Sequence, residues 1–507
     1  MSALKSIIAF LAAAAVGMSV SVGYAQGVTS SVKRSNEDLP DLGSPANAAI
    51  SIDEEYHAGL SYVNEIRKSG VILTDPEVSQ YAQEIGHSLS SQAEEGQHQF
   101  YYFVINDPNI NAFAVPGGFI VIHSGLILAT RNENELAGVL GHETAHVTQR
   151  HLVRQLIDQS HEGLLASAAM LAAVLLGATA GRGSPDAVEG AILAGQSAMI
   201  QHQINYTRKN EFEADRIGIT TAANAGYDPL GMASFFDYMG KDGPEPSRVN
   251  AVQFLIDHPI FSDRVAEAQD RANQIGRIHH EDSLSYLLIR ERLRSVAGDP
   301  YAARQYYVNL LKNGGGKTIY ERYGKDVAEI ETKNPAAAIP DLQELVHEYP
   351  KVTQFYGALG QAYLANNQLK ESSAVLERAM TLFPRNVPIT IRLAETLMHS
   401  GDNKRAHIVL LDLFNNVEPT PDQTRLIAKA ANTAGDYADS YAYMAEFYLM
   451  SGNLVMAANQ LQLALTLPGL DAVQRARYSA RLEEVRAAMP KKNKNTVADD
   501  RRGNNGG

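Results

Sequence analysis

Two histidines and a glutamate within five residues could together hold a metal ion and activate a water molecule. His142 and His146 are four residues apart, so on a helix their imidazoles project from one face, a turn apart. Two ring nitrogens at that spacing can bind a single Zn²⁺. Glu143 lies about a quarter turn from His142, where its carboxylate could take a proton from a water that attacks a peptide carbonyl. A helix with two incidental histidines and a surface glutamate is the alternative interpretation.

A second predicted helix, residues 187–225, offers carboxylates for the same ion. Glu211 and Asp215 are four residues apart and share a face, as the two histidines do. A carboxylate from a second helix is a natural third zinc ligand, and Asp215 could accept the free ring N–H of a ligand histidine. Glu213 lies about 200° from Glu211 and should point elsewhere. A solvated acidic face is the alternative.

Two further histidines are weaker candidates. His151 follows His146 by five residues, about 140° round a helix, so we expect it not to reach the same ion. The extended zinc motif, with a glycine and a third histidine shortly after the second, is absent from the sequence. His258 precedes a proline, and Arg264 follows six residues later. Taken alone, that pattern favours a capping or packing role for His258.

The elements that must position these residues can also be predicted. The run 132–157 predicts one helix that carries the histidine pair, with Asn132 as its N-cap. Residues 110–115 and 119–122, joined by a Pro-Gly-Gly turn, predict a hairpin. The hairpin ends just before the histidine helix, so one of its strands could be an exposed edge with which a peptide pairs. The alternative is a hairpin that only packs against the core and binds no peptide.

Composition limits the class of protein and its compartment. The chain has 507 residues, 45% of them hydrophobic, and a net charge of −13 without a long basic block, which argues against a nucleic-acid binder. No cysteine is present, so a metal site must use imidazole and carboxylate. Residues 1–25 predict a secretory signal peptide, with an uncleaved membrane anchor as the alternative, and 26–48 a linker. We therefore expect an exported protein of a bacterial periplasm.

The segment 163–181 has no charged residue and is long enough to raise the question of a membrane span. It is rich in alanine, glycine and serine, which favours a buried or interfacial helix over a spanning one. Peripheral association with a membrane therefore stays open at this point.

These motifs together resemble the zinc metallopeptidases related to HtpX and to the prenyl-protein endopeptidases, over about residues 50–275. The resemblance implies an α+β, zincin-like domain with one zinc ion per chain, held by His142, His146 and Glu211, and with Glu143 as the base. His258 would lie near the metal, either as an extra ligand that holds the enzyme latent or as a group that stabilises the transition state. The residues that would support the site are Asp215 and Arg264. The residues that would bind substrate are Asn111, Ala112, Phe113 and Ala114.

From about residue 282 the pattern changes to short helix pairs that repeat about every 34 residues. The tetratricopeptide positions are occupied by Tyr356, Leu359, Gly360, Tyr363, Ser372, Leu376, Ala379 and Pro384. Stacked pairs of this kind form an α-solenoid that usually binds a peptide or a protein partner. A scaffold that merely closes off the active site is the alternative.

We therefore predict a mainly α protein: a zincin-like metallopeptidase domain with a small β-hairpin or sheet, then an α-solenoid of tetratricopeptide repeats. The predicted divisions are a signal peptide (1–25), a linker (26–48), the peptidase domain (49–278), the repeats (282–489) and a disordered tail (490–507). The resemblance implies a periplasmic endopeptidase that acts on unfolded or misassembled outer-membrane proteins. Its partners would be the barrel-assembly machinery or the lipopolysaccharide-transport complex. The alternative function is a chaperone or assembly adaptor whose metal site is latent or structural.

Overall fold

The computed structural model describes residues 50–93, 99–158, 208–242, 252–258 and 262–489. The predicted signal peptide, linker and tail, the apolar segment 163–181 and the first part of the predicted helix 187–225 lie outside these ranges. The chain divides into two compact units, Met1–Thr332 and Lys333–Gly507. None of the helices within the described ranges has the length and apolar character needed to cross a membrane.

The described part of the first unit contains three strands and twelve α-helices. The strands are β1 (Tyr101–Ile105), β2 (Ala112–Val115) and β3 (Phe119–His123). The helices are α1 (Ile52–Ser69), α2 (Pro76–Ser90), α3 (Ser124–Ala129), α4 (Glu133–Thr148), α5 (His151–Asp158), α6 (Arg208–Asn224), α7 (Leu230–Asp237), α8 (Val252–Asp257), α9 (Ser262–Ile275), α10 (Leu284–Val296), α11 (Pro300–Lys312) and α12 (Ile319–Glu331).

The predicted hairpin is confirmed. Strands β2 and β3 pair antiparallel, while β1 pairs parallel to the other side of β3, so β2 is an edge of this sheet. The turn between β2 and β3 needs glycine at Gly117 and Gly118, whose φ angles are 82° and 90°. A Cβ on Gly118 would also lie only 1.9 Å from the carbonyl oxygen of Gln99. The turn is therefore packed against neighbouring chain as well as tightly bent.

The prediction of a single helix over 132–157 is wrong, because the chain breaks between α4 and α5. The predicted cap is present, since the Asn132 side chain accepts a hydrogen bond from the backbone N–H of Glu135 at 3.0 Å. At the other end, Arg150 has a φ of 50°, a left-handed conformation that no helix interior allows. The Arg150 guanidinium is buried against Glu55 of α1, and its Nε donates to that carboxylate at 2.6 Å. A long-range ion pair thus stabilises the break.

Helices α4 and α6 cross where two glycines meet. A Cβ on Gly141 would lie 2.7 Å from the carbonyl oxygen of Gly218, and a Cβ on Gly218 would lie 2.6 Å from the backbone nitrogen of His142. Any larger side chain at either position would push the helices apart. This close approach is what brings the acidic residues of α6 next to the histidines of α4.

The first unit extends past the predicted domain boundary at 278–282, through α10, α11 and α12. The buried guanidinium of Arg292, on α10, donates to both carboxylate oxygens of Asp75, at 2.8 and 2.6 Å, and lies 3.3 Å from Glu77. Tyr286, also on α10, donates to the carbonyl oxygen of Thr130 at 3.0 Å. The helix that opens the predicted repeat region is therefore part of the core of the first unit.

Replacing Arg292 with methionine should destabilise the first unit by about 3–5 kcal/mol, because the buried Glu77 and the partly buried Asp75 would lose their shared counter-charge. The free energy of unfolding is measured by urea denaturation of the full chain, in the transition in which the first unit unfolds. The matched control is Arg304→Met, whose ion pair with Glu329 is 44% exposed on the arginine side, and which should cost less than about 1 kcal/mol. Equal losses in the two variants would contradict a role for Arg292 in the core.

The second unit consists of helix pairs, as predicted. Its helices are α13 (Pro335–Glu348), α14 (Thr353–Ala365), α15 (Leu369–Leu382), α16 (Val387–His399), α17 (Asn403–Phe414), α18 (Pro421–Ala434), α19 (Tyr437–Met450), α20 (Leu454–Thr466) and α21 (Ala472–Ala488). Small residues allow close crossing: a Cβ on Gly360 would lie 2.7 Å from Leu376, and the Ser372 hydroxyl donates to the carbonyl oxygen of Gly360 at 2.8 Å. The predicted fold class is confirmed.

Candidate metal centre

Four side chains with metal-binding atoms meet at one buried point of the first unit: His142, His146, Glu211 and His258. One ligand atom from each lies within 4.8 Å of all the others. The Nε2 atoms of His142 and His146 are 2.9 Å apart, and Nδ1 of His258 lies 3.3 Å from Nε2 of His142 and 3.3 Å from Oε2 of Glu211. Oε1 of Glu211 is 3.5 Å from Nε2 of His146. The two histidines and the glutamate predicted from motif spacing therefore come together in space, and His258, which the resemblance placed near the metal, joins them.

Three different local structures position these four side chains. His142 and His146 lie one turn apart on α4, and Glu211 lies in the first turn of α6, beyond the glycine crossing. His258 follows α8 directly, and its backbone N–H donates to the carbonyl oxygen of Phe254 at 2.8 Å. Three separate segments of the chain thus supply the four side chains.

The chemistry of the group fits a divalent cation. Two imidazole nitrogens at 2.9 Å repel each other unless a proton or a cation lies between their lone pairs. Both carboxylate oxygens of Glu143 and Oε1 of Glu211 are buried without a hydrogen-bond partner among the described residues. A donor set of imidazoles and one carboxylate is the set that zinc uses at catalytic sites. A cation at this point would therefore satisfy atoms that the described part of the chain leaves without a partner.

The pKa values of the buried groups also indicate that a positive charge is stabilised at this point. Burial raises the pKa of Glu143, whereas for Glu211 the nearby His258, His142 and Arg264 outweigh burial and lower the pKa. Burial alone would lower the pKa of His258, but the carboxylates of Glu143 and Glu211 raise it to about 9. The carboxylates therefore attract either a proton on His258 or a cation between the ligands.

Asp215 and Arg264, which were expected to support the site, contact His142 and Glu211. Oδ1 of Asp215 lies 2.9 Å from Nδ1 of His142, the nitrogen that faces away from the other ligands. The buried Arg264 donates to both oxygens of Asp215 at 2.8 Å, and its Nη1 lies 2.9 Å from Oε2 of Glu211. Burial would raise the pKa of Asp215, but Arg264 and His142 lower it, so a charged carboxylate orients the His142 ring.

Comparison with known proteins agrees with this arrangement. Residues 76–272 match Peptidase family M48. The chain is 33% identical over 452 residues to a putative β-barrel assembly-enhancing protease of Vibrio cholerae, covering 88% of this chain and 92% of that one. The chain belongs to peptidase family M48. This M48 peptidase is also 31% identical over 457 residues to the β-barrel assembly-enhancing protease of Escherichia coli, covering 89% and 92%.

A more distant similarity is confined to part of the chain. The M48 peptidase is 34% identical over 142 residues to the mitochondrial metalloendopeptidase OMA1 of Arabidopsis thaliana, which covers 28% of this chain and 26% of that one. The similarity to the β-barrel assembly-enhancing proteases, by contrast, includes most of the repeat region as well. The chain is therefore a metallopeptidase that is similar to those relatives over most of its length.

The edge strand β2 of the M48 peptidase lies beside the metal centre. The backbone of Ala114, in β2, lies close enough to the Glu143 carboxylate to lower its pKa. Asn111, just before β2, is fully buried, and its amide donates to Oδ2 of Asp257, the residue before His258, at 3.0 Å. Phe113 is half-buried between the rings of Tyr62 and His123. Substrate binding by residues 111–114 stays a prediction, but two of them already contact the neighbours of the centre.

His151 is a contact of the metal centre that the sequence analysis missed. It is not one of the four converging residues, as predicted, but its Nδ1 lies 2.8 Å from Nδ1 of His146. The predicted angle of about 140° between His146 and His151 assumed one continuous helix. The break at Arg150 instead turns the chain and buries His151 against the centre. Arginine is not a helix breaker, so no local signal marked this position. Glu213 does point away from Glu211, and it meets His151 instead.

Proposed function

We propose that this chain is a periplasmic, zinc-dependent endopeptidase that degrades unfolded or misassembled outer-membrane proteins. The observation that carries the proposal is the buried convergence of His142, His146 and Glu211 beside the Glu143 carboxylate, for which the described residues provide no hydrogen-bond partner. The similarity over nearly the whole chain to proteases named for enhancing β-barrel assembly supports the choice of substrate class. Cleavage of casein that is lost with a chelator and restored by zinc would test the activity directly.

The roles of the residues follow from their surroundings. His142, His146 and Glu211 would hold the zinc ion, with Asp215 and Arg264 fixing the orientation of the first and third ligands. Bound zinc would polarise the peptide carbonyl and make a water more acidic. Glu143 would accept the proton of the attacking water and return it to the leaving amine. Its raised pKa, which burial causes, helps its carboxylate retain that proton between the two steps.

A substrate would bind in an extended conformation. Strand β2 is an edge of the sheet, and its Ala114 contacts Glu143. An added strand along β2 would hold a peptide by main-chain hydrogen bonds, which suits many sequences without a fixed motif. Unfolded outer-membrane proteins are such substrates. The repeats would bind these substrates or a partner, for which we propose the barrel-assembly machinery or the lipopolysaccharide-transport complex.

The position of His258 favours an enzyme that is weak at rest. Its Nδ1 lies within the ligand group, and its Nε2 is 3.4 Å from Oε1 of Glu143. A histidine in that position would compete with water for the metal and for the base. We therefore propose that His258 keeps the site latent until a substrate or partner displaces it.

Replacing His258 with alanine should raise casein cleavage several-fold, about threefold or more, because the position next to Glu143 would then admit water. Initial rates at saturating zinc, compared with His279→Ala as an exposed control, measure the effect. A fall in rate would assign His258 to stabilisation of the transition state instead. An unchanged rate would mean that it only packs.

A chaperone or assembly adaptor with a latent metal site is the second candidate function. The observation that favours it is the same insertion of His258 among the ligands, which closes the site. Complementation separates the two functions: cells that lack the protein and express the Glu143→Gln variant should show a damaged envelope if proteolysis is the function. Full restoration of envelope integrity by that variant would favour the adaptor.

A further inference from the structure

The two ligand histidines on α4 each turn a second nitrogen away from the converging group. For His142 that nitrogen is Nδ1, which faces the carboxylate of Asp215 at 2.9 Å. For His146 it is also Nδ1, but its neighbour is another imidazole, Nδ1 of His151, at 2.8 Å. The two rings meet edge to face, with centroids 4.9 Å apart and planes at 75°. One proton must lie between these two nitrogens, because two bare lone pairs at this distance would repel.

The ligand role of His146 decides which ring donates that proton. An imidazole that offers Nε2 to a cation keeps its proton on Nδ1. His146 therefore donates from Nδ1, and His151 accepts with Nδ1. The neutral His151 ring then carries its own proton on Nε2, which lies 3.3 Å from Oε2 of Glu213. Every nitrogen of the pair has a defined role in this single arrangement.

Each of the two carboxylates behind the ligand histidines is paired with an arginine. Asp215 behind His142 is held by Arg264, and Glu213 behind His151 accepts a hydrogen bond from Nη1 of Arg154 at 3.0 Å. Both ligand histidines thus have a carboxylate behind them that an arginine holds in place. The difference is that His146 reaches its carboxylate through one additional imidazole.

The backbone is built to place that additional imidazole. Arg150 adopts its left-handed conformation just before His151, and the ion pair of Arg150 with the buried Glu55 stabilises this bend. The His151 side chain is completely buried, while Glu213 is 25% and Arg154 31% exposed. The contacts therefore run from the buried ligand to the surface along one path.

We propose that His151 is a positioning residue for the zinc ligand His146, and that Glu213 and Arg154 fix the orientation of the His151 ring. This inference rests on the proposed function, since it assigns His146 to zinc. Partners of this kind orient a ligand ring and raise its basicity, and their loss typically weakens metal binding by about 10–100-fold.

Zinc affinity of the full-length chain, measured by competition with a chelator at one fixed pH, tests the proposal. The measurements use the Glu143→Gln background to prevent self-digestion. The decisive pair is His151→Leu and His151→Asn, which have similar shapes but differ in a hydrogen-bond acceptor near the position of Nδ1. We expect His151→Leu to weaken zinc binding by about 10–100-fold and His151→Asn by about threefold or less.

Rescue by asparagine separates positioning from a merely structural role, because simple loss of packing would affect both variants alike. Equal zinc affinity in the two variants, whether unchanged or equally reduced, would overturn the proposal. Should His151→Leu fail to fold, Glu213→Gln decides instead, with the exposed Glu267→Gln as its control. Glu213→Gln should bind zinc several-fold more weakly than Glu267→Gln, and equal affinities would overturn the proposal. A parent chain that binds no zinc would contradict the proposed function itself.

Discussion

Replacing Glu143 with glutamine should abolish casein cleavage while zinc stays bound. The carboxylate is completely buried, accepts no side-chain hydrogen bond among the described residues and lies next to the converging ligands without being one of them. Glutamine has nearly the same shape but cannot take a proton from water. Loss of a general base typically lowers the rate by about 10²–10⁴-fold. Initial cleavage rates and the zinc content of the same preparation measure both parts of the expectation.

The control for this variant is Glu267→Gln, because Glu267 is 43% exposed on α9 and is not one of the four converging residues. It should cleave casein at the rate of the unmodified chain. Retained cleavage in Glu143→Gln would remove Glu143 from the role of base. Loss of both cleavage and zinc would show instead that its carboxylate helps to hold the metal.

Replacing Glu211 with glutamine should remove the zinc itself. One Glu211 oxygen lies 2.9 Å from Nη1 of Arg264 and 3.3 Å from Nδ1 of His258, so the position is surrounded by hydrogen-bond donors. An amide there is a neutral and weak metal ligand, and its NH₂ group cannot face the Arg264 guanidinium, which is itself a hydrogen-bond donor. We expect the zinc content after dialysis to fall from about one ion per chain to nearly none, and cleavage to fall with it.

The most informative experiment compares the two variants after they have been purified and dialysed in the same way. Glu143→Gln should keep zinc and lose cleavage, whereas Glu211→Gln should lose both. Circular dichroism of the metal-free proteins checks that α4 and α6 remain folded in each case. Full zinc occupancy in a folded Glu211→Gln chain would refute the ligand assignment and, with it, the meeting of α4 and α6 at one ion.

Much of this site could be predicted because its residues follow helical and strand spacing. His142 and His146 had to share a face at four residues apart, and Glu211 and Asp215 likewise, whatever the rest of the chain did. The Pro-Gly-Gly turn at 116–118 required a hairpin, since φ angles of 82° and 90° suit glycine alone. The helical repeats were visible because small residues such as Gly360 and Ser372 recur where helices must cross closely.

Other features depend on contacts between residues that are distant in sequence. The break after α4 is stabilised by Glu55, nearly a hundred residues before Arg150, and it alone brings His151 to His146. The extent of the peptidase unit depends on Arg292, which binds Asp75 more than two hundred residues earlier. No spacing rule covers such pairs. Local periodicity sets which side chains share a face, but only long-range packing decides which faces meet and where a helix must end.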